Sequence, residues 1–74
     1  MHQSQSARVV RAILTVRTQE DGPTGRSSFS TKHEPAGLLA ALRAMIADGE
    51  LVRHAAARGE ILVGIGPKWS PANV

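Results

Sequence analysis

Residues 35–66, PAGLLAALRAMIADGELVRHAAARGEILVGIG, constrain the chain more than any other stretch. Wound as a helix over residues 35–48, Leu38, Leu39, Leu42, Met45 and Ile46 fall within an arc of about 120°. Glu34 and Pro35 suit a first helical turn. Gly49 is placed to end that helix in the left-handed conformation. The next residues change period. ELVRH (50–54) and EILVGI (60–65) read as strands, with Ile61, Val63 and Ile65 on one face and Leu51 able to meet them. AAARG (55–59) is the turn between them, tipped by Arg58, and Pro67 stops the second strand. The expectation is a helix, a glycine stop and a two-stranded hairpin.

The 74 residues make one domain, 1–74, with residues 1–6 and 68–74 expected to be flexible tails, the second with Trp69 folding back over the core edge. A chain this short buries only about 60% of its unfolded surface. Phe29 and Trp69 are the aromatic residues, so the core has to be aliphatic. There is no cysteine, which excludes disulfides and thiolate metal sites. The start, MHQSQS, lacks an apolar secretory segment, and no apolar run approaches the roughly 20 residues that span a bilayer. The expectation is a cytoplasmic protein without membrane contact.

Residues 7–20, ARVVRAILTVRTQE, support two readings. As a helix, capped by Ser6, they gather Val9, Val10, Ala12, Ile13, Leu14 and Val16 on one broad inner face. Arg8, Arg11, Thr15 and Thr18 then face out, and Gly22 and Pro23 end it. As a strand they place Val10, Ala12, Leu14 and Val16 on one face. The length of the segment favours the helix. DGPTG (21–25) is a turn either way. Residues 26–33, RSSFSTKH, make a short helix anchored by Phe29, or an edge strand with Ser27, Phe29 and Thr31 on one face.

Leu38, Leu42, Met45 and Gly49, followed by Leu51, Val52, a basic tip at Arg58 and the return strand 61–65, resemble the second half of a winged helix-turn-helix domain. The resemblance covers residues 38–66. It implies an α+β fold in which a recognition helix precedes a β-hairpin wing, with 7–20 as first helix and 25–33 as supporting helix. It also implies double-stranded DNA as partner. A helix enters the major groove while the wing follows the backbone. The DNA-contacting residues are then Arg26, Ser28, Lys32 and His33 before the recognition helix, Arg43 on it, and Arg53 and Arg58 in the wing.

Charge is consistent with that partner. The net charge is +3 and seven of the nine basic residues are arginine, which grips phosphate bidentately. The recognition helix itself presents Ala36, Gly37, Ala40, Ala41, Ala44 and Ala47 opposite its apolar arc. Alanine offers no hydrogen bonds to base edges, so binding should be dominated by phosphate and shape. Amino-acid usage rich in Ala, Gly, Arg and Val points to a bacterial, plasmid or phage regulator of transcription or replication.

Other chemistry finds little support. His2, His33 and His54 match no metal-ligand spacing. GIGPK (64–68) lacks the spacing of a phosphate loop, and Pro67 removes a backbone donor. The hydroxyls of 27–31 have no base–orienter pair beside them. No enzyme activity, cofactor or metal is expected.

The alternative fold is ββαββ: hairpin 7–33 around DGPTG, one helix, then the second hairpin, giving a four-stranded antiparallel sheet. Such a domain would serve as a protein–protein module, for example a phage-encoded inhibitor or adaptor. It would bind through a sheet edge or the Ala-rich helix face, or pair as a homodimer.

Overall fold

Helix α1 (Gln5–Asp21) settles the first ambiguity. The computed structural model describes residues 4–71. In it the Ser4 hydroxyl, not that of Ser6, caps the helix by accepting from Ala7 N at 3.0 Å. Ser6 lies inside the first turn. Gly22, at φ 75°, closes the other end by donating its N–H to Thr18 O. With both ends satisfied, the helix outcompetes the strand that β-branched content favours.

The face that α1 buries is only part of the broad one expected. Val10 and Leu14 are fully buried and Ala7 packs beside them. Arg11, expected outside, is 8% exposed, whereas Val9, Ile13 and Val16, expected inside, are 45%, 39% and 52% exposed. A charge pair accompanies this rotation. The Arg11 guanidinium meets the Glu50 carboxylate in a two-pronged contact, its second arm at 3.2 Å, and also donates to Ser70 O at 3.0 Å. A buried cation with these partners is tolerable, and the turn of the helix that seats it carries Val10 and Leu14 into the core.

After a short 3₁₀ turn (Gly22–Thr24), residues 26–33 do not form a supporting helix. Arg26–Ser30 is strand β1, with Ser27 and Phe29 turned inward. A helix here would have had one apolar residue to bury; a strand places Phe29 directly opposite Ile61 in the core. The Ser30 hydroxyl then accepts from the N–H groups of Lys32 and His33, both at 3.3 Å, and Glu34 N donates to Ser30 O. That turn leads directly into the next helix.

Helix α2 (Ala36–Ala47) forms as its periodicity predicts and buries Leu38, Leu39, Ala41, Leu42 and Met45. Ala41 therefore belongs to the inner face rather than to the outer alanine face. Pro35 is the N-cap residue instead of the first helical one. The C-terminus is a Schellman motif: Gly49, at φ 83°, donates to Ile46 O, and Glu50 N donates to Met45 O. Strands β2 (Leu51–His54) and β3 (Glu60–Ile65) follow as the expected hairpin.

The three strands form one antiparallel sheet in the order β1-β3-β2. The protein is thus a small α+β domain of two helices and a three-stranded sheet, without the fourth strand of the ββαββ alternative. Leu51, Ser27, Phe29, Ile61 and Val63 face the helices and are buried. No helix among the described residues is long and apolar enough to cross a membrane.

The expected tails are partly structured. Gln5 and Ser6 belong to α1. Gly66 N donates to Glu50 O at 2.8 Å, Lys68 N to Gly49 O at 3.0 Å, and Trp69 packs against the core. His2 lies outside the described residues.

Candidate nucleic-acid interface

Register across the sheet decides which expected contacts share a surface. Arg26 stands opposite Gly64, and Gly64 opposite Val52. Ser28 stands opposite Leu62, and Leu62 opposite His54. Side chains paired in this way point to the same side of an antiparallel sheet, so Arg26, Ser28, Val52 and His54 lie on the face away from the helices. Arg53 is opposite Val63, on the other face. It remains exposed because β2 is an edge strand. The seven expected residues therefore do not form one patch.

A tighter grouping sits at the end of the sheet. Thr31 donates to Gly59 O through both its N–H, at 2.8 Å, and its hydroxyl, at 3.1 Å. These two bonds clamp the end of β1 to the tip of the β2–β3 hairpin. They bring Lys32 and His33, one strand-turn later, beside the hairpin tip that carries Arg58. All three are exposed. Sequence placed Lys32 and His33 before the recognition helix and Arg58 in the wing; the clamp makes them neighbours.

Glu34, next to His33, and Glu60, opposite Ser30, stand at this same end, so two carboxylates accompany Lys32 and Arg58 there; the acidic groups with ion pairs lie elsewhere. Glu50 is taken by Arg11, and Arg17 faces Glu20 at 3.9 Å and Asp21 at 3.5 Å at the end of α1. Among the described residues, no ion pair involves Arg26, Lys32, Arg43, Arg53 or Arg58. Arg43 is exposed on α2 among Ala36, Gly37, Ala40, Ala44 and Ala47, which are also exposed.

His54 was not among the expected contacts. A Cβ built on Gly64 would stand 3.0 Å from His54 Nε2 and 3.6 Å from Arg26 Cγ. Glycine thus leaves room for both side chains to lie over the sheet. Pro23, Thr24 and Val52 help to line an open cavity of about 190 Å³ there. Only the strand register links His54 to Arg26, and nothing in the local sequence signals it. Among the described residues no group of three His, Asp or Glu side chains is placed to hold a metal ion.

In comparisons with known proteins, no family model, no curated protein and no solved structure matches the chain.

Proposed function

We propose that this chain is a small double-stranded-DNA-binding domain of the winged-helix kind, acting in regulation of transcription or replication. The observation that carries the reading is the clamp from Thr31 to Gly59, which gathers Lys32, His33 and Arg58 at one end of the sheet. α2 followed immediately by the β2–β3 hairpin supports the same reading. Strand β1 and the turn after it occupy residues 25–33, where the resemblance implies a supporting helix, so recognition rests on α2 and the hairpin alone.

Chemistry sets the mode of binding. The exposed face of α2 offers Arg43 and a run of alanines, which contact thymine methyls at most. Lys32, Arg53 and Arg58 are suited to phosphates, and Arg26 and Ser28 extend the contacts along the open face of the sheet. Affinity then comes from counterion release and falls steeply with salt, with modest sequence discrimination.

The test is binding to random-sequence duplex at two salt concentrations. Tight binding at low salt that weakens at least tenfold across a fourfold rise in salt is the expected result. No binding at low salt overturns the reading. A second reading would then stand on the short edge strands β1 and β2, with Val52 exposed on the latter: a protein-binding module that extends the sheet.

A further inference from the structure

Gly64 is a glycine that the backbone does not require. It stands within β3, the central strand, and its φ is not positive. Glycine inside a strand costs stability, and one reason to keep it is the close approach of another group. Here the space above Gly64 holds two side chains, one from each neighbouring strand. His54 Nε2 lies 3.0 Å, and Arg26 Cγ 3.6 Å, from where a Cβ would stand. Gly25 O, an acceptor, is 3.4 Å from the same point.

Pro23, Thr24, Val52 and Ile65 complete the walls of the open cavity around them, about 190 Å³ in volume. No Asp or Glu lines it. The acids closest in sequence, Asp21 and Glu50, are turned to Arg17 and Arg11. Among the described residues the ion pairs are made by Arg11 and Arg17, so Arg26 and His54 have no counter-charge of their own.

We propose that this cavity is a binding site for a phosphate monoester group. Arg26 supplies a planar fork that grips phosphate oxygens bidentately, and His54 donates Nε2–H from the other side of Gly64. At about 30 Å³ per water, the cavity has the volume of about six waters. That admits a phosphate group and the first atoms of its carrier, which Pro23 and Val52 meet with apolar surface. A carboxylate fits less well, because it only accepts hydrogen bonds and leaves Gly25 O without a donor. A phosphate monoester loses its second proton near pH 6, so it brings more negative charge and, in its monoanion, an O–H for that carbonyl. The carrier is either a small phosphate ester or the 5′-phosphate at a nucleic-acid end. The site goes beyond the duplex reading, which rests on internal phosphodiesters, and stands without it.

Titration of the whole chain with methyl phosphate or acetate at constant ionic strength, followed in amide NMR spectra, tests it. Methyl phosphate should give saturable shifts centred on Gly25, Arg26 and Gly64, with a Kd of about 1 mM or lower. Acetate should bind about tenfold more weakly or not at all. Arg26→Gln and His54→Ala should each weaken methyl phosphate by about tenfold or more. His54→Gln, which keeps a donor near the place of Nε2, should weaken it less than His54→Ala. Arg8→Gln removes an equal charge on α1, behind the sheet, and should change nothing. No saturable shift, an equal response to acetate, or equal effects of Arg26→Gln and Arg8→Gln overturns the proposal. A single-stranded oligonucleotide with a 5′-phosphate, set against its unphosphorylated twin, identifies the carrier. Binding tighter than methyl phosphate, and lost in the twin, assigns the site to nucleic-acid ends; binding no tighter assigns it to small phosphate esters. Duplex without terminal phosphates tests the earlier reading separately, and its failure to bind leaves these results in place.

Discussion

Arg11 and Glu50 lie 39 positions apart in the chain and close on each other at the junction of α1 with the α2–β2 turn. The Arg11 side chain is 9% exposed and that of Glu50 19%. Glu50 directly follows Gly49, so the residue that completes the Schellman motif also supplies the counter-charge that fixes the rotation of α1. Removing the carboxylate alone leaves a buried cation. Glu50→Ala should therefore destabilise the fold by about 3 kcal/mol, read from urea midpoints. Arg11→Met with Glu50→Leu should recover most of that loss, because no buried charge remains. A single-variant loss under about 0.5 kcal/mol would show that the pair does not anchor α1.

Gly66 is needed for space rather than for backbone freedom. A Cβ there would stand 2.4 Å from Gly49 O and 3.1 Å from the Glu50 carbonyl carbon. Both are backbone atoms held by the Gly66–Glu50 and Lys68–Gly49 hydrogen bonds. Gly66→Ala should cost about 2 kcal/mol or more as the end of β3 is pushed from the α2–β2 turn. Gly37→Ala is the control. Its Cβ would meet Ser6 Oγ at an unstrained 3.5 Å, and stability should be unchanged or raised by up to about 1 kcal/mol.

The Ser27 hydroxyl is buried opposite Val63 with no hydrogen-bond partner. Burying a polar group in this state costs free energy. Ser27→Ala should leave stability unchanged or raise it by up to about 1 kcal/mol in thermal melts. A loss larger than that would mean the hydroxyl is satisfied in solution.

The phosphate contacts proposed for the hairpin tip predict a graded salt effect. Arg58→Ala should weaken binding to all duplexes alike and lower the salt slope by about one. Arg17→Ala should leave the slope unchanged, because Arg17 stands with Glu20 and Asp21 at the far end of α1. Equal effects of the two substitutions would remove the hairpin tip from the interface.

Much of the fold was legible from residues 35–66. The spacing of Leu38, Leu42 and Met45, the glycine at 49 and the alternation of Ile61, Val63 and Ile65 are local signals. They act over a few residues and leave little for long-range contacts to change. Residues 26–33 were not legible, because a single Phe29 satisfies either a weak helix or a strand. The deciding fact is that β3 offers Ile61 and Val63 as partners. The candidate interface was readable as a set of residues but not as a surface. Lys32, His33 and Arg58 adjoin only through the Thr31–Gly59 clamp, and His54 reaches Arg26 only through the register across Gly64.

α1 shows where the division falls. Sequence by itself determined that residues 7–20 are amphipathic and end at Gly22, and that α2 and a hairpin follow. It gathered Val9, Val10, Ala12, Ile13, Leu14 and Val16 on one broad inner face, of which only Val10 and Leu14 are buried. Tertiary structure made the choice. The observed rotation places Val10 and Leu14 in the core and brings Arg11 to the carboxylate of Glu50, a residue 39 positions away that no local pattern in residues 7–20 could signal.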